Sequence, residues 1–221
     1  MNIVSFSGGV DSTAMLFHMI ELDYKIDKIL FADTLLEFPE VYDHIENVEK
    51  RINIEIIKLK PEKTWDDWFY GKYTRGKHKG QMRGFPLLLY PCWWSREAKF
   101  IPLDKYCKGH NRHIGISYDE QKRITSNEGY IYPLYEWKWT KNNCIKFLKD
   151  IDMYPPIYKK FKRTGCWCCP KQSLDSLETL YNEYPELWEK LKQYEKDSPH
   201  GFRPNINLSK CEINTITEEN W

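Results

Sequence analysis

Residues 5–13 read SFSGGVDST, and a second concentration of reactive side chains lies at Cys166, Cys168 and Cys169. The first stretch follows a short apolar run, Asn2 to Phe6, and precedes Ala14 to Leu22, which is dense in helix formers. Ser7-Gly8-Gly9 therefore belongs at a strand-to-helix turn. Glycines there let a backbone approach a ligand closely, and the first amides of a helix have no intrahelical partner. Together with the helix dipole they make an anion site, most simply for phosphate. Ser7, Ser12 and Thr13 add hydroxyl donors. Asp11 repels a phosphate unless a cation intervenes, and Mg²⁺ is the natural candidate. The alternative is a capped turn in which Asp11 or Ser12 merely starts the helix. The stretch lacks the Lys-Ser/Thr ending of a Walker loop and is not G-x-G-x-x-G, so kinases and dinucleotide enzymes are poor fits.

Seven cysteines, three of them crowded at 166–169, are too irregular for a secreted disulfide framework. Such crowding suggests metal or redox chemistry in a cytosolic protein, and the cytoplasm is the expected compartment. Cys107 and Cys144 read as ordinary core cysteines. No apolar run approaches the roughly 20 residues of a membrane span, and no signal peptide opens the chain.

The elements that must position these groups follow from periodicity. Lys28 to Ala32 and Ile54 to Leu59 read as further strands, and His113 to Ser117 as a fourth. Phe38, Val41, Ile45, Val48 and Ile52 mark one face of a helix. Helices are also expected over Trp94 to Tyr106, Thr140 to Ile151 and Ser173 to Tyr194, the last broken near Pro185. This alternation implies an α/β fold, a doubly wound and mostly parallel sheet whose ligands sit beyond the carboxyl ends of the strands. The opening loop, Asp33-Thr34 and Gly115 to Ser117 all fall at such ends. Residues 1–170 are expected to form the nucleotide-binding α/β domain, with 171–221 as a small helical C-terminal extension and tail.

The formal net charge of the 221 residues is +1, so nothing pulls the whole chain toward nucleic acid. Charge is nevertheless uneven. Between Asp67 and Glu97 lie Lys72, Arg75, Lys77, Lys79, Arg83 and Arg96 with no carboxylate, punctuated by glycines at 71, 76, 80 and 84. Between Asp152 and Asp175 lie five further cations interleaved with Tyr158, Phe161 and Trp167. Basic loops with aromatics suit a polyanion, and the aromatics offer stacking surfaces. Either stretch could equally be a solvated positive face or a clamp for a nucleotide's own phosphates. The 71–84 loop has no apolar periodicity and is expected to be mobile until an acceptor orders it.

Taken in order, these blocks resemble a known family. SFSGGVDST is similar to the pyrophosphate loop of the ATP pyrophosphatase (adenine nucleotide alpha hydrolase-like) superfamily. FADTLLEFPEVYDHI resembles the Asp-Thr-x-x-Glu-Phe-Pro-Glu-x-Tyr segment of its phosphoadenosine phosphosulfate (PAPS) reductase branch. PCWWSREAKFIPL resembles that branch's Cys-Cys stretch running to Lys and Pro-Leu, YPLYEWKWT its Pro-Leu-x-x-Trp signature, and YPPIYKKFKRTGCWCCP its passage into Gly-Cys-x-x-Cys. The resemblance runs from about residue 2 to residue 170 and implies a Rossmann-like fold that binds ATP, PAPS or adenylyl sulfate. It further implies that Ser7, Gly8, Gly9, Asp11, Ser12 and Thr13 hold phosphates and that Asp33 and Thr34 lie near the adenosine. Gly115 and Ile116 would line the pocket. GISYDEQKRI resembles a family strand end that makes Arg123 a candidate phosphate contact, although Ser117 stands where many members carry Arg. Lys99 matches the lysine of the Cys-Cys stretch.

The departures bear on function. PAPS reductases usually have a degenerate opening loop and a carboxyl-terminal Glu-Cys-Gly-Leu-His nucleophile motif. Here the loop is intact, Asp11 included, which favours ATP, and Cys211 lacks the flanking glycine and histidine and reads as incidental. Iron–sulfur members bind a [4Fe-4S] cluster through a Cys-Cys and a Cys-x-x-Cys pair. This chain has Cys92 alone at the first, then Cys166 and Cys169, with Cys168 between them. Three thiolates leave one cluster iron open, free to carry an extra sulfide. A zinc with Cys92, Cys166, Cys168 and Cys169, or unliganded buried thiols, are the alternatives. The expected reaction is attack on the α-phosphorus of ATP with pyrophosphate release, aided by Asp11 and Mg²⁺. Sulfur transfer through Cys166 and Cys169 follows, onto an acceptor met by Lys77, Lys79, Arg83 and Lys99. That acceptor could be a nucleic acid, served by a sulfur donor protein. The rival readings are a sulfonucleotide reductase and a nucleotide-binding subunit without turnover.

Overall fold

A computed structural model describes residues 1–204 and Leu208, so Cys211 lies outside the described residues. Five strands, β1 (Asn2–Phe6), β2 (Lys28–Ala32), β3 (Ile56–Leu59), β4 (Asn111–Ile114) and β5 (Tyr130–Ile131), form one sheet in the order β3-β2-β1-β4-β5. Every neighbouring pair is parallel. The doubly wound expectation is met, and the strand order reverses between β1 and β4. Ligands of open α/β sheets collect at such a point, beyond the carboxyl ends of the strands. β4 ends earlier than its apolar run suggested, because the Ile116 amide turns back to the Ile114 carbonyl at 3.0 Å and leaves the ladder. Gly115, Ile116 and Ser117 thus form the exit of β4.

Connecting the strands are α1 (Val10–Glu21), α2 (Pro39–Ile52), the short α3 (Trp65–Phe69), then α4 (Trp93–Ser95), a π-helical turn (Arg96–Phe100) and α5 (Ile101–Cys107). The last three replace the single regular helix expected over 94–106. After β4 come α6 (Pro133–Glu136), α7 (Lys141–Asp150), α8 (Leu174–Glu183) and α9 (Pro185–Asp197), the break at Pro185 being as expected. Proline at the first position of α9 lacks only an amide that would be unpaired there anyway.

Alternate residues of the sheet serve two faces. Val4, Phe6, Ile29 and Phe31 pack with α1 and α2, burying Met15, Met19, Val41, Ile45 and Val48. Ile3, Leu30 and Ala32 turn the other way, onto Leu103 and Cys107 of α5. The first of these clusters runs on into an aromatic region. There Trp65, Phe69, Phe85 and Trp94 meet Trp167, Cys168, Leu177, Leu180, Trp188, Leu191 and Tyr194. Helices α8 and α9 therefore complete the same core that begins under the sheet. No helix among the described residues is long and apolar enough to cross a membrane.

The basic segment 71–84, expected to stay mobile until an acceptor orders it, is folded back on itself. Lys72 and Met82 form an antiparallel bridge, and the Tyr73 amide reaches the Gln81 carbonyl at 2.9 Å. The Gly80 amide returns to the Tyr73 carbonyl at 2.8 Å, and left-handed Gly76 and Gly80 turn the tip. The stretch is a small hairpin. It is pinned at its base, where a Cβ on Gly84 would lie 2.6 Å from Ser198 Oγ and 2.8 Å from Pro199 Cδ.

Candidate functional site

The β1–α1 loop is built around its glycines. Gly8 has φ +71°, and a Cβ there would crowd Val41 Cγ1 at 3.1 Å. Gly9 is the N-cap of α1 and no side chain caps the helix, so neither Asp11 nor Ser12 plays that part. Val10 donates its amide to the Tyr158 hydroxyl at 3.4 Å, whereas nothing among the described residues accepts from the Asp11 and Ser12 amides. These are the unpaired donors of a helix start, facing the point where the strand order reverses.

The hydroxyls expected to meet phosphate divide their work differently. The Thr13 side chain donates to the Gly9 carbonyl at 2.8 Å and is fully buried. Since its one proton is committed there, the 3.1 Å contact with His44 is donated by His44 Nε2–H. Ser12 Oγ donates to the Gly9 carbonyl at 3.1 Å and accepts the Ser7 amide at 3.1 Å. Ser7 Oγ lies 2.9 Å from Ser12 Oγ. Thr13 and Ser12 hold the loop's shape, and Ser7, the most exposed of the three, remains nearest to solvent. Gly115 presses on the same turn: a Cβ there would lie 2.8 Å from both Cα and N of Ser12. Ile116, beside it, is buried.

Asp11 does not stand alone. Lys141, the first residue of α7, brings its Nζ to 3.1 Å from Asp11 Oδ1. Burial pushes the Asp11 carboxyl above its ordinary range, Lys141 opposes that, and Glu120 and Asp119 add to it. Burial alone would lower the Lys141 ammonium, but the Asp11 carboxylate carries it above its usual value. Lys141 Nζ also lies 5.7 Å from the centre of the Tyr158 ring. The charge that faces the Asp11 carboxylate in this structure is this chain's own lysine. Arg123 is held by Glu120 at 2.6 Å in an exposed pair, one residue removed from this group.

At the end of β2, Asp33 and Thr34 are buried and shape the turn into α2. Asp33 Oδ1 accepts the Leu35 amide and the Tyr42 hydroxyl, both at 2.8 Å. It thereby holds Leu35 in a left-handed conformation with φ +61°. Thr34 Oγ1 donates to Glu37 Oε1 at 2.9 Å, accepts the Leu36 amide at 3.2 Å and receives Cys166 Sγ–H at 3.7 Å. Lys99 closes the chain with its Nζ 3.1 Å from Glu37 Oε1. Burial would lower the Lys99 ammonium, but Glu37, with Cys166 and Cys169 in support, carries it above its usual value.

The cysteines are neighbours, but among the described residues no three His, Cys, Asp or Glu side chains are grouped to hold a metal ion. Cys92 Sγ accepts the Ser95 amide at 3.4 Å as the cap of α4. Cys168 is turned into the aromatic core, 1 % exposed. Cys166 is bonded to Thr34, and burial pushes its thiol up to about 12, with Glu37 adding to the rise. Burial likewise raises Cys169, against Lys171 and Arg163. The expected four-cysteine zinc or cluster ligation is not assembled among the described residues, and a bound metal would itself have to draw the protons from these thiols. Cys166 and Cys169 instead line a cavity of about 190 Å³ with Arg163, Thr164, Lys171 and Gln172.

The substrate cations separate as well. Lys77 and Lys79 are exposed at the hairpin tip, while Arg83 lies over the Trp68 ring at 4.3 Å and the Tyr73 ring at 5.4 Å. Sequence reasoning missed Lys141, Tyr158 and Thr164. A Cβ on Gly9 would meet Tyr158 Oη at 3.2 Å and Thr164 Oγ1 at 3.5 Å. The aromatic and basic run at 152–175 was the available signal, but nothing in it pointed to this loop.

Comparison with known proteins gives a consistent picture. Residues 1–90 match the family model of the phosphoadenosine phosphosulfate reductase domain. An uncharacterized protein of Methanocaldococcus jannaschii is 30% identical over 206 residues, which cover 85% of this chain and 40% of the relative. Adenosine 5'-phosphosulfate reductase 1 of Bacillus subtilis is 26% identical over 173 residues, 68% of this chain and 67% of that protein. Among solved structures, the PAPS reductase of Candida auris in its phosphate complex shares the fold with a TM-score of 0.54 at 18% identity. It covers 76% of this chain and 82% of its own. The chain spans less than half the length of the archaeal relative.

Proposed function

We propose, from the match of residues 1–90 to the PAPS reductase domain model, an enzyme that acts at the α-phosphate of an adenine nucleotide and couples this to sulfur transfer. The observation that carries the reading is Thr164. It stands against Gly9 of the β1–α1 loop and also lines the cavity of Cys166 and Cys169. The loop that would hold phosphate and the thiols that would handle sulfur share a wall.

ATP would place its β- and γ-phosphates on the Asp11 and Ser12 amides, with Ser7 at the rim. An oxygen of the acceptor attacks the α-phosphorus, the bond to the β-phosphate oxygen breaks, and pyrophosphate leaves. Fixed amide donors at a helix start stabilise the charge that develops on that leaving group, because they need no reorganisation. Asp33 and Thr34, locked by Tyr42, Leu35 and Glu37, would form the floor beneath the nucleoside, and Gly115 with Ile116 the opposite wall. In the second step sulfur displaces the adenylyl group and AMP departs. Cys166 or Cys169, charged as a persulfide by a sulfur donor protein, would attack with its outer sulfur as AMP leaves. The other thiol would then cleave the resulting mixed disulfide, releasing the thiolated acceptor and leaving a Cys166–Cys169 disulfide. Both thiols are protonated in the resting state, so Lys99, Arg163 and Lys171 would have to favour the thiolate when substrate fills the cavity. A nucleic acid is the acceptor class that fits the hairpin cations Lys77 and Lys79.

Sulfonucleotide reduction is the second reading, favoured by the Bacillus relative and by the nearness of Cys166 to the end of β2. Incubation with ATP and RNA, and separately with adenylyl sulfate or PAPS plus a dithiol reductant, separates the two. Pyrophosphate from ATP supports the first reading, and sulfite from a sulfonucleotide the second. If neither product forms although nucleotide binds, the chain is a nucleotide-binding subunit. Cys166→Ser should retain pyrophosphate release and lose sulfur transfer.

A further inference from the structure

We propose that Lys141 is the resident counter-cation of the β1–α1 loop, so that nucleotide phosphates bind there without a divalent ion, Lys141 exchanging Asp11 for phosphate. This rests on the nucleotide reading above and specifies how that site handles charge. Asp11 would be the natural Mg²⁺ ligand, but its Oδ1 already faces an ammonium at 3.1 Å. An ion pair therefore already occupies the carboxylate that a cation would use.

Lys141 occupies an unfavourable place for a cation. It opens α7, where the helix dipole favours anions, and its own amide donates to Asp119 Oδ1 at 3.1 Å. Helix preference gives no reason for a lysine there, whereas the first turn of α1 does. Helix α7 packs along α1, which sets its first residue beside Asp11. Lys141 also hangs over the Tyr158 ring, whose hydroxyl takes the Val10 amide. One flexible side chain thus lies between the loop's carboxylate and the aromatic that covers its first amide. Its side chain is 38% exposed, so the ammonium has an open side from which to meet an incoming phosphate.

Titration calorimetry with ATP, in excess EDTA and in Mg²⁺, tests the inference. Wild type should bind in EDTA within about threefold of its affinity in Mg²⁺. Lys141→Met should weaken binding in EDTA by about tenfold or more, the worth of a charge-assisted hydrogen bond. Asp11→Asn should tighten binding in EDTA and in Mg²⁺ alike, because it frees the lysine and removes an anion; were Asp11 a Mg²⁺ ligand, the same variant would weaken binding in Mg²⁺. Asp11→Asn/Lys141→Met, which keeps the local charge balanced, controls for folding through its melting temperature. Binding by wild type only in Mg²⁺, or unchanged EDTA affinity in Lys141→Met, overturns the inference and leaves the nucleotide reading intact. No ATP binding under either condition overturns both.

Discussion

His44 shows what the loop demands of the residues beneath it. It donates to Thr13, is 3% exposed, and burial depresses its pKa to about 4. The unfolded chain takes up a proton near pH 6.5 and the folded chain does not, so stability is whole above that pH and falls as pH drops toward 4. At about 1.4 kcal/mol per pKa unit, the loss approaches roughly 3 kcal/mol. Thermal melts of wild type and His44→Gln at pH 7 and pH 5 measure it; the variant should lose much less on acidification. An equal loss in both would assign the acid sensitivity elsewhere. At this scale the strand-to-helix turn at residues 7–9 was legible, because glycine and hydroxyl chemistry is local to nine residues. The residues that complete it were not: Val10 and Tyr158 meet across 148 positions, and no local pattern encodes that contact. Arg123, found by motif, pairs at the surface with its neighbour Glu120.

Among the elements, those with a strong period were readable and those held by single contacts were not. The buried Val41, Ile45 and Val48 of α2 have the expected spacing, as do the parallel strands under the loop. The π-helical turn at 96–100 leaves no trace in a periodicity of three and four. The hairpin at 71–84 was hidden too, since its glycines and lysines do not alternate and its anchors are Trp68 and the 198–200 segment. Its residues now divide into two kinds. Lys77→Ala with Lys79→Ala should leave the melting temperature almost unchanged, and should lower the salt slope of RNA binding by about one per lysine removed. Arg83→Ala removes the cation from the Trp68 face and should cost about 1 kcal/mol of stability. Fluorescence anisotropy across a salt series, with melts of the same variants, tests this. An unchanged slope with loss of ATP affinity would make the hairpin a nucleotide clamp.

For the molecule as a whole, nine tryptophans announced a large aromatic core but not its membership. The boundary expected at residue 170 crosses that core, for Trp167 and Cys168 on one side pack with Leu177, Leu180 and Tyr194 on the other. Distribution of the cysteines through this interior gives the protein a built-in clock. Cys144 and Cys168, at 0% and 1% exposure, are sealed, whereas Cys92, Cys166 and Cys169 are only half-covered. A small alkylating reagent should therefore consume the half-covered group through local fluctuation, at a rate set by reagent and pH. The sealed pair should react only as fast as the core opens, whatever the reagent concentration once labelling outpaces reclosing. Peptide mass spectrometry over a time course would read both. Cys168 keeping pace with its neighbours Cys166 and Cys169 would mean that the aromatic seam between the sheet and the last helices opens on its own, well before the sheet does.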